Sequence, residues 1–193
     1  PIALDFSPDS RRFAAGMLSA REGQLSCSVY FMSMDTDAEG PVYTADQGSM
    51  LLRLDWQSER RVMAVFDTYL AVLDPTTGAE TARYDYGGAA LQSVAPGHRQ
   101  TALLLTVRGG NNLVTLSETL TPMAEIPARQ AFGVSATDTD IYLLCPDAVE
   151  CYGYDGVQNW VYSDLASRPL AVVNAAKPLL LTGSRAEVLE GGS

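Results

Sequence analysis

Four short apolar runs separated by turns, and then the same order again, recur about every 40 residues along this chain of 193. The second runs of the rounds align at Phe13, Val62, Ala102, Ile141 and Leu179, at spacings of 49, 40, 39 and 38 residues. Runs of this length, rich in Val, Leu, Ile and aromatic residues and bounded by Gly, Pro, Asp and Ser, predict β-strands. Helical periodicity is nearly absent. Its one competitor, 50–61, carries Trp56 and a turn where a capped helix has no room for them.

The first round predicts strands at 2–6, 12–18, 25–34 and 41–45, with an acidic loop at 35–40. The second predicts strands at 50–56, 62–66, 69–73 and 80–86, with turns at 57–60 and 74–78. The third places them at 91–95, 102–107, 113–116 and 123–126, and the fourth at 131–135, 141–145, 149–154 and 160–162. A partial fifth round offers 170–173, 179–181 and 187–189. Four strands per unit at this period is the pattern of a propeller blade. The inner strands, such as Ala102-Leu103-Leu104-Leu105, are apolar throughout, as strands covered on both sides should be. The fourth strands are more polar, as outer edges should be. The expected fold is therefore all-β, a propeller-like array of four-stranded antiparallel blades in one domain. Approximate blades are 1–46, 47–87, 88–127, 128–165 and a partial 166–193. Four and a half blades suggest a fragment of a larger ring. The extra length of the first round is assigned to its loops. Open sheet faces at both ends favour self-association.

Composition narrows the partners. Hydrophobic residues make up 47% of the chain and charged residues 19%, enough apolar material for a packed core. With 23 acidic against 13 basic residues the net charge is −10, which argues against nucleic acid and against an anionic membrane surface. No apolar window is long enough for a membrane span in this chain. Cys27, Cys145 and Cys151 are too few for a disulfide framework. The chain opens at Pro1 and runs almost at once into a strand, so we expect an upstream part, with any targeting segment, to be missing.

Three turns carry a resemblance. Asp74-Pro75-Thr76-Thr77-Gly78-Ala79-Glu80 resembles the Asp-x-x-Thr-Gly-x turn of quinoprotein-type propeller repeats, and Tyr154-Asp155-Gly156-Val157-Gln158-Asn159-Trp160 looks like a shorter copy. Phe6-Ser7-Pro8-Asp9-Ser10 resembles the Phe-Ser-Pro-Asp-Gly turn of WD-type repeats. Taken whole, the chain is similar to uncharacterised propeller ectodomains of bacterial membrane-anchored proteins. That likeness implies the outside of a bacterial cell, with a cytoplasmic home left open, and implies no activity.

Candidate sites are sparse. Asp35-Thr36-Asp37-Ala38-Glu39-Gly40, with Asp46 at the twelfth place, echoes a calcium loop, but Pro41 and Tyr43 stand where ligands belong and no helix follows. A solvated acidic loop is the plainer reading. His98, the single histidine, sits in a turn with no signature of a nucleophile beside it. Cys145 and Cys151 flank a hairpin turn; they read as two buried free thiols or as a cross-hairpin disulfide. Trp56 and Trp160 occupy different places in the repeat and are assigned to packing between blades rather than to a stacking platform. Gly109-Gly110-Asn111-Asn112 is read as a hairpin turn, since no lysine or helix follows to make a phosphate loop. No catalytic, cofactor-binding or metal residue is assigned. The expected function is a non-enzymatic module that binds a protein or glycan or serves as a scaffold. The alternatives are a quinoprotein-like oxidoreductase and a sensor or structural domain of a membrane protein.

Overall fold

A computed structural model describes residues 1–21, 23–36, 40–97, 99–163, 165, 167–173 and 177–189. Nineteen strands and no helix are found among them. The first sheet holds β1 (Ala3–Phe6), β2 (Arg12–Arg21), β3 (Gln24–Ser33) and β4 (Val42–Thr44). The second holds β5 (Leu51–Ser58), β6 (Arg61–Phe66), β7 (Tyr69–Leu73) and β8 (Glu80–Asp85). The third holds β9 (Ala90–Pro96), β10 (Thr101–Val107), β11 (Gly110–Leu116) and β12 (Pro122–Pro127). The fourth holds β13 (Gly133–Ala136), β14 (Asp140–Leu144), β15 (Val149–Gly153) and β16 (Gln158–Tyr162). The fifth has three strands, β17 (Pro169–Val173), β18 (Leu179–Thr182) and β19 (Ala186–Val188). Within every sheet the strands lie in chain order and run antiparallel. The expected all-β array of four-stranded units is the observed one.

The chain divides into two compact units, Pro1–Gly88 with the first two sheets and Ala89–Ser193 with the other three. Inside each unit, neighbouring sheets stack face to face. We call the face turned to the next sheet trailing and the face turned to the previous one leading. In the first unit the trailing face of sheet one supplies Ala14, Cys27, Val29 and Phe31, and the leading face of sheet two supplies Leu54, Trp56, Val62 and Phe66. In the second unit Ala102, Leu104 and Leu113 meet Ile141, Leu143 and Tyr152. Across the next junction Tyr142, Leu144, Val149 and Cys151 meet Val172 and Leu180. The middle strands are buried on both faces: every residue of β7 is buried, and all but one of β6. The outer strands β8, β12 and β16 carry no fully buried residue.

Polar links repeat at these junctions. A side-chain oxygen on the innermost strand accepts a backbone N–H from the innermost strand of the next sheet. Trp56 donates to Asp5 Oδ2 at 2.6 Å, Val134 to Ser93 Oγ at 3.2 Å, and Val172 to Ser135 Oγ at 3.3 Å. The buried hydroxyl of Thr115 adds a further link by donating to the carbonyl of Tyr154 at 2.8 Å.

The turns work by local chemistry. Asp74 Oδ1 accepts from the Thr76 amide at 2.8 Å and from the Thr76 hydroxyl at 2.6 Å, while the Gly78 amide returns to the Asp74 carbonyl. Gly78 has φ +73°, and a Cβ there would press on the backbone of Val42 in the outer strand of sheet one. Gly156 repeats this: φ is +86°, and its Cβ would meet Ala124 and Ile126 of β12. In the Ser7–Ser10 turn, Ser10 takes φ +59°, a left-handed conformation that favours glycine.

Some expectations are corrected. Part of the first round's extra length lies in β2 and β3, ten residues each, rather than in loops alone. The 57–60 turn shrinks to Glu59 and Arg60, because β5 continues through a bulge to Ser58. The turn placed at Gly109–Asn112 is the two-residue hairpin Arg108-Gly109. Gly110, Asn111 and Asn112 belong to β11, where they pair with Val107, Thr106 and Leu105.

Replacing Ser10 with glycine relieves left-handed strain and should raise unfolding free energy by up to about 1 kcal/mol. Gly78→Ala adds both strain and a backbone clash and should lower it by roughly 2 kcal/mol or more. Urea titration followed by far-UV circular dichroism reads both changes.

Candidate functional site

The residues singled out in the sequence do not gather into one centre. Asp37, Ala38, Glu39 and His98 lie outside the described residues. Asp46, the far carboxylate of the proposed calcium loop, is engaged by the guanidinium of Arg83. Gly40 has a different role: a Cβ there would fall on the carbonyl of Phe31, so the backbone passes too close to β3 for any side chain. Among the described residues, no group of three or more His, Cys, Asp or Glu side chains is gathered closely enough to hold a metal ion.

The cysteine pair is separated by the sheet itself. Cys145 packs into the junction between sheets three and four, and Cys151 into that between sheets four and five. The two side chains stand on opposite faces, so no disulfide joins them, and all three cysteines are free and buried. Burial pushes the thiols of Cys145 and Cys151 up to about 11, helped by the charges of Glu150 near the first and Asp140 near the second. Each tryptophan is likewise a packing residue. Trp56 is buried edge-on to Phe31 at 6.1 Å, and Trp160 lies against Tyr142 at 6.0 Å.

Two constellations were not anticipated. In the first unit, the guanidinium of Arg83 on β8 lies over the ring of Tyr69 at 3.7 Å and pairs with Asp46 and Asp85, with Glu80 at 3.7 Å. Tyr43 of β4 donates to Glu80 at 2.7 Å and touches the hydroxyl of Tyr69 at 3.1 Å. The pairing with Asp46 raises the pKa of Arg83 further, and burial raises those of Tyr43 and Tyr69. All six groups are occupied with one another, so this network clamps sheet one to sheet two. It has no open coordination or reactive position.

In the second unit, a polar cleft of about 500 Å³ opens where three turns converge. Gly97, Arg99 and Gln100 come from the β9–β10 turn, Thr137 and Asp138 from the β13–β14 turn, and Tyr154 from the β15–β16 turn. In a four-stranded meander the first and third hairpins point the same way, so stacking two sheets brings such turns together at one end. Tyr154 donates to the Thr137 carbonyl at 3.0 Å and ties the floor of the cleft. Its burial, with Asp138 and Asp140 nearby, pushes its hydroxyl up to about 12, so it acts as a neutral donor at physiological pH. Exposed Arg99 gives the rim a fixed cation. The cleft offers donors, acceptors and charge, which suits a polar loop or peptide.

Comparison with known proteins gives the fold its name. No family model matches the sequence, and no curated protein matches it. Solved structures do. A eukaryotic initiation factor structure aligns at a TM-score of 0.70 and 10% identity, over 94% of this chain and 48% of that one. The β-propeller domain of Myceliophteria thermophila Cps50 (Swd1) aligns at 0.65 and 11%, over all of this chain and 67% of that one. The Neurospora crassa Pan2 WD40 domain aligns at 0.58 and 11%, over 92% of this chain and 58% of that one. The chain spans about half the length of the first structures it matches.

Two measurements check this section. At pH 7.5 all three thiols should resist a disulfide reagent until urea is added, and Cys145 and Cys151 should react faster as pH rises towards 11. Hydrogen bonds from Thr76, with Arg60, hold Asp74 below the usual carboxylate range, and Arg83 does the same for Asp46. Their stabilisation is therefore present above about pH 4 and lost as pH falls through the lowered values. The urea midpoint should fall as pH drops below about 4, and Asp74→Asn should flatten that slope. At these likenesses the comparisons show one thing, the fold, which is that of β-propeller domains.

Proposed function

We propose that the chain is a non-enzymatic binding or scaffold module, part of a β-propeller, and that it takes a protein partner at the polar cleft of its second unit. The observation that carries this is the convergence of three turns from two stacked sheets on one cleft lined by Arg99, Gln100, Thr137, Asp138 and Tyr154. A rigid stack that presents turns of free sequence suits recognition, because the strands hold the loops and the loops set specificity. The mixed donors and acceptors favour an extended polar segment over an apolar ligand. For location we propose the extracellular face of a bacterial cell-surface protein, which rests on the sequence resemblance alone.

Affinity capture from the source cells tests the binding role with the native chain beside a double charge reversal, Arg99→Glu with Asp138→Arg. A partner retained by the first and lost by the second supports it. Equal recovery of the same proteins by both moves the partner away from the cleft. Thermal melts with calcium and with a quinone cofactor give the competing result. A ligand that binds the native state raises Tm by mass action, so a shift with the quinone, together with dye reduction, would replace this reading by an oxidoreductase.

A further inference from the structure

The cleft of the second unit has a closed counterpart in the first. Ala136 pairs with Ile141 beside the first hairpin of its sheet, as Trp56 pairs with Val62. Both side chains face the preceding sheet. Trp56 is buried and fills that end of its junction, with the guanidinium of Arg12 over its ring at 5.3 Å. Arg12 also donates to the Glu59 carbonyl at 3.2 Å, which ties the first turn of sheet one to the first turn of sheet two. In the second unit a methyl group stands in place of the indole, and the junction opens there into the cleft of about 500 Å³.

The charged side chains on the two turns that flank this cleft are not tied. Arg99 stands on the first turn of sheet three and Asp138 on the first turn of sheet four, and both are exposed. Neither side chain makes an ion pair among the described residues. The remaining polar groups of the lining are neutral. Tyr154 donates to the Thr137 carbonyl at 3.0 Å, the Thr137 hydroxyl to the Asp140 carbonyl at 3.3 Å, and the Gln100 amide reaches the Met123 sulfur at 3.9 Å. The cleft thus sets one free cation and one free anion on opposite walls, above a neutral floor.

Resting on the reading of the cleft as a protein-binding site, we propose that its occupant is a dipolar peptide segment, an extended chain with an acidic side chain held by Arg99 and a basic side chain two positions away held by Asp138. Stacked sheets lie about 10 Å apart, and side chains i and i+2 of an extended chain project to one side about 7 Å apart, so such a pair reaches both walls. A segment with two charges of one sign satisfies one wall and is repelled by the other. Selectivity then comes from the repulsion as much as from the attraction.

Calorimetric titration of the intact chain tests it with capped peptides of the form Gly-X-Gly-Z-Gly, at about 0.15 M salt, where screening confines charge effects to about 8 Å. X and Z are Glu with Lys, two Glu, two Lys, or two Gln. The native chain should bind the Glu–Lys peptide about fivefold more tightly than the Gln–Gln peptide, and neither like-charged peptide better than the Gln–Gln one. Arg99→Glu should move the preference to the Lys–Lys peptide, and Asp138→Arg to the Glu–Glu peptide. Arg108→Glu, in the β10–β11 turn at the other end of sheet three, changes net charge as much as Arg99→Glu and should leave the order of affinities as it is. Equal affinity of the native chain for all four peptides, or no binding of any at about 5 mM, overturns the proposal. A preference that Arg108→Glu shifts as far as Arg99→Glu overturns it too, since it then follows net charge alone. With either of these results, a captured partner that is still lost on double charge reversal keeps the binding role and discards only the dipolar occupant, whereas equal capture discards the binding role itself. Far-UV circular dichroism checks each variant. Arg99→Gln and Asp138→Asn replace any that fails to fold and should abolish the Glu–Lys preference.

Discussion

A four-stranded sheet whose inner strands are apolar on both sides cannot stand alone in water. That constraint governs this molecule. Every residue of β7 is buried, which a single sheet cannot achieve with its own side chains. Stacking is the remedy, and the stacked faces show how it is done. Large side chains of one sheet, such as Phe31, fit against large ones of the next, such as Trp56, edge to face. The burial gradient follows from the same geometry: middle strands see a neighbour on each side, and outer strands see water.

Apolar stacking alone does not fix how two sheets register, and the polar links do. Asp5, Ser93 and Ser135 each hold the backbone of the next innermost strand, so neighbouring sheets are tied where they lie closest. The corner glycines act at the outer rim. Gly78 and Gly156 sit against the outer strands β4 and β12 of the preceding sheet, where any side chain would force the sheets apart. The Asp-Pro-Thr-Thr-Gly turn thus has two roles. Its aspartate closes the turn, and its glycine permits close approach between sheets.

Legibility differed between the fold and the candidate site. Strand order was plain in the sequence because alternation and turn residues are local signals, and the period exposed the unit. Strand ends were less so. Asn111 and Asn112 read as turn residues, yet they pair in β11 because the hairpin needs only Arg108 and Gly109. The cleft was invisible, since Gln100, Thr137 and Tyr154 come from three separate turns and no spacing connects them. The Arg83 clamp was hidden for the same reason: Tyr43, Asp46 and Arg83 are ordinary residues of ordinary strands until two sheets meet. The cysteines show a subtler case. Their spacing across one hairpin suggested that they could pair, and only the sheet's two faces reveal that Cys145 and Cys151 point into different junctions.

By itself, the sequence determined an all-β array of four-stranded units, their number and their order, because repetition of local hydrogen-bonding and burial patterns is written residue by residue. It also determined the turn chemistry, which acts over three or four neighbouring residues. Only the tertiary structure decided which side chains meet across junctions and where the polar cleft opens. Those are properties of sheets set side by side, and contacts between residues some 40 positions apart leave no local trace in the chain.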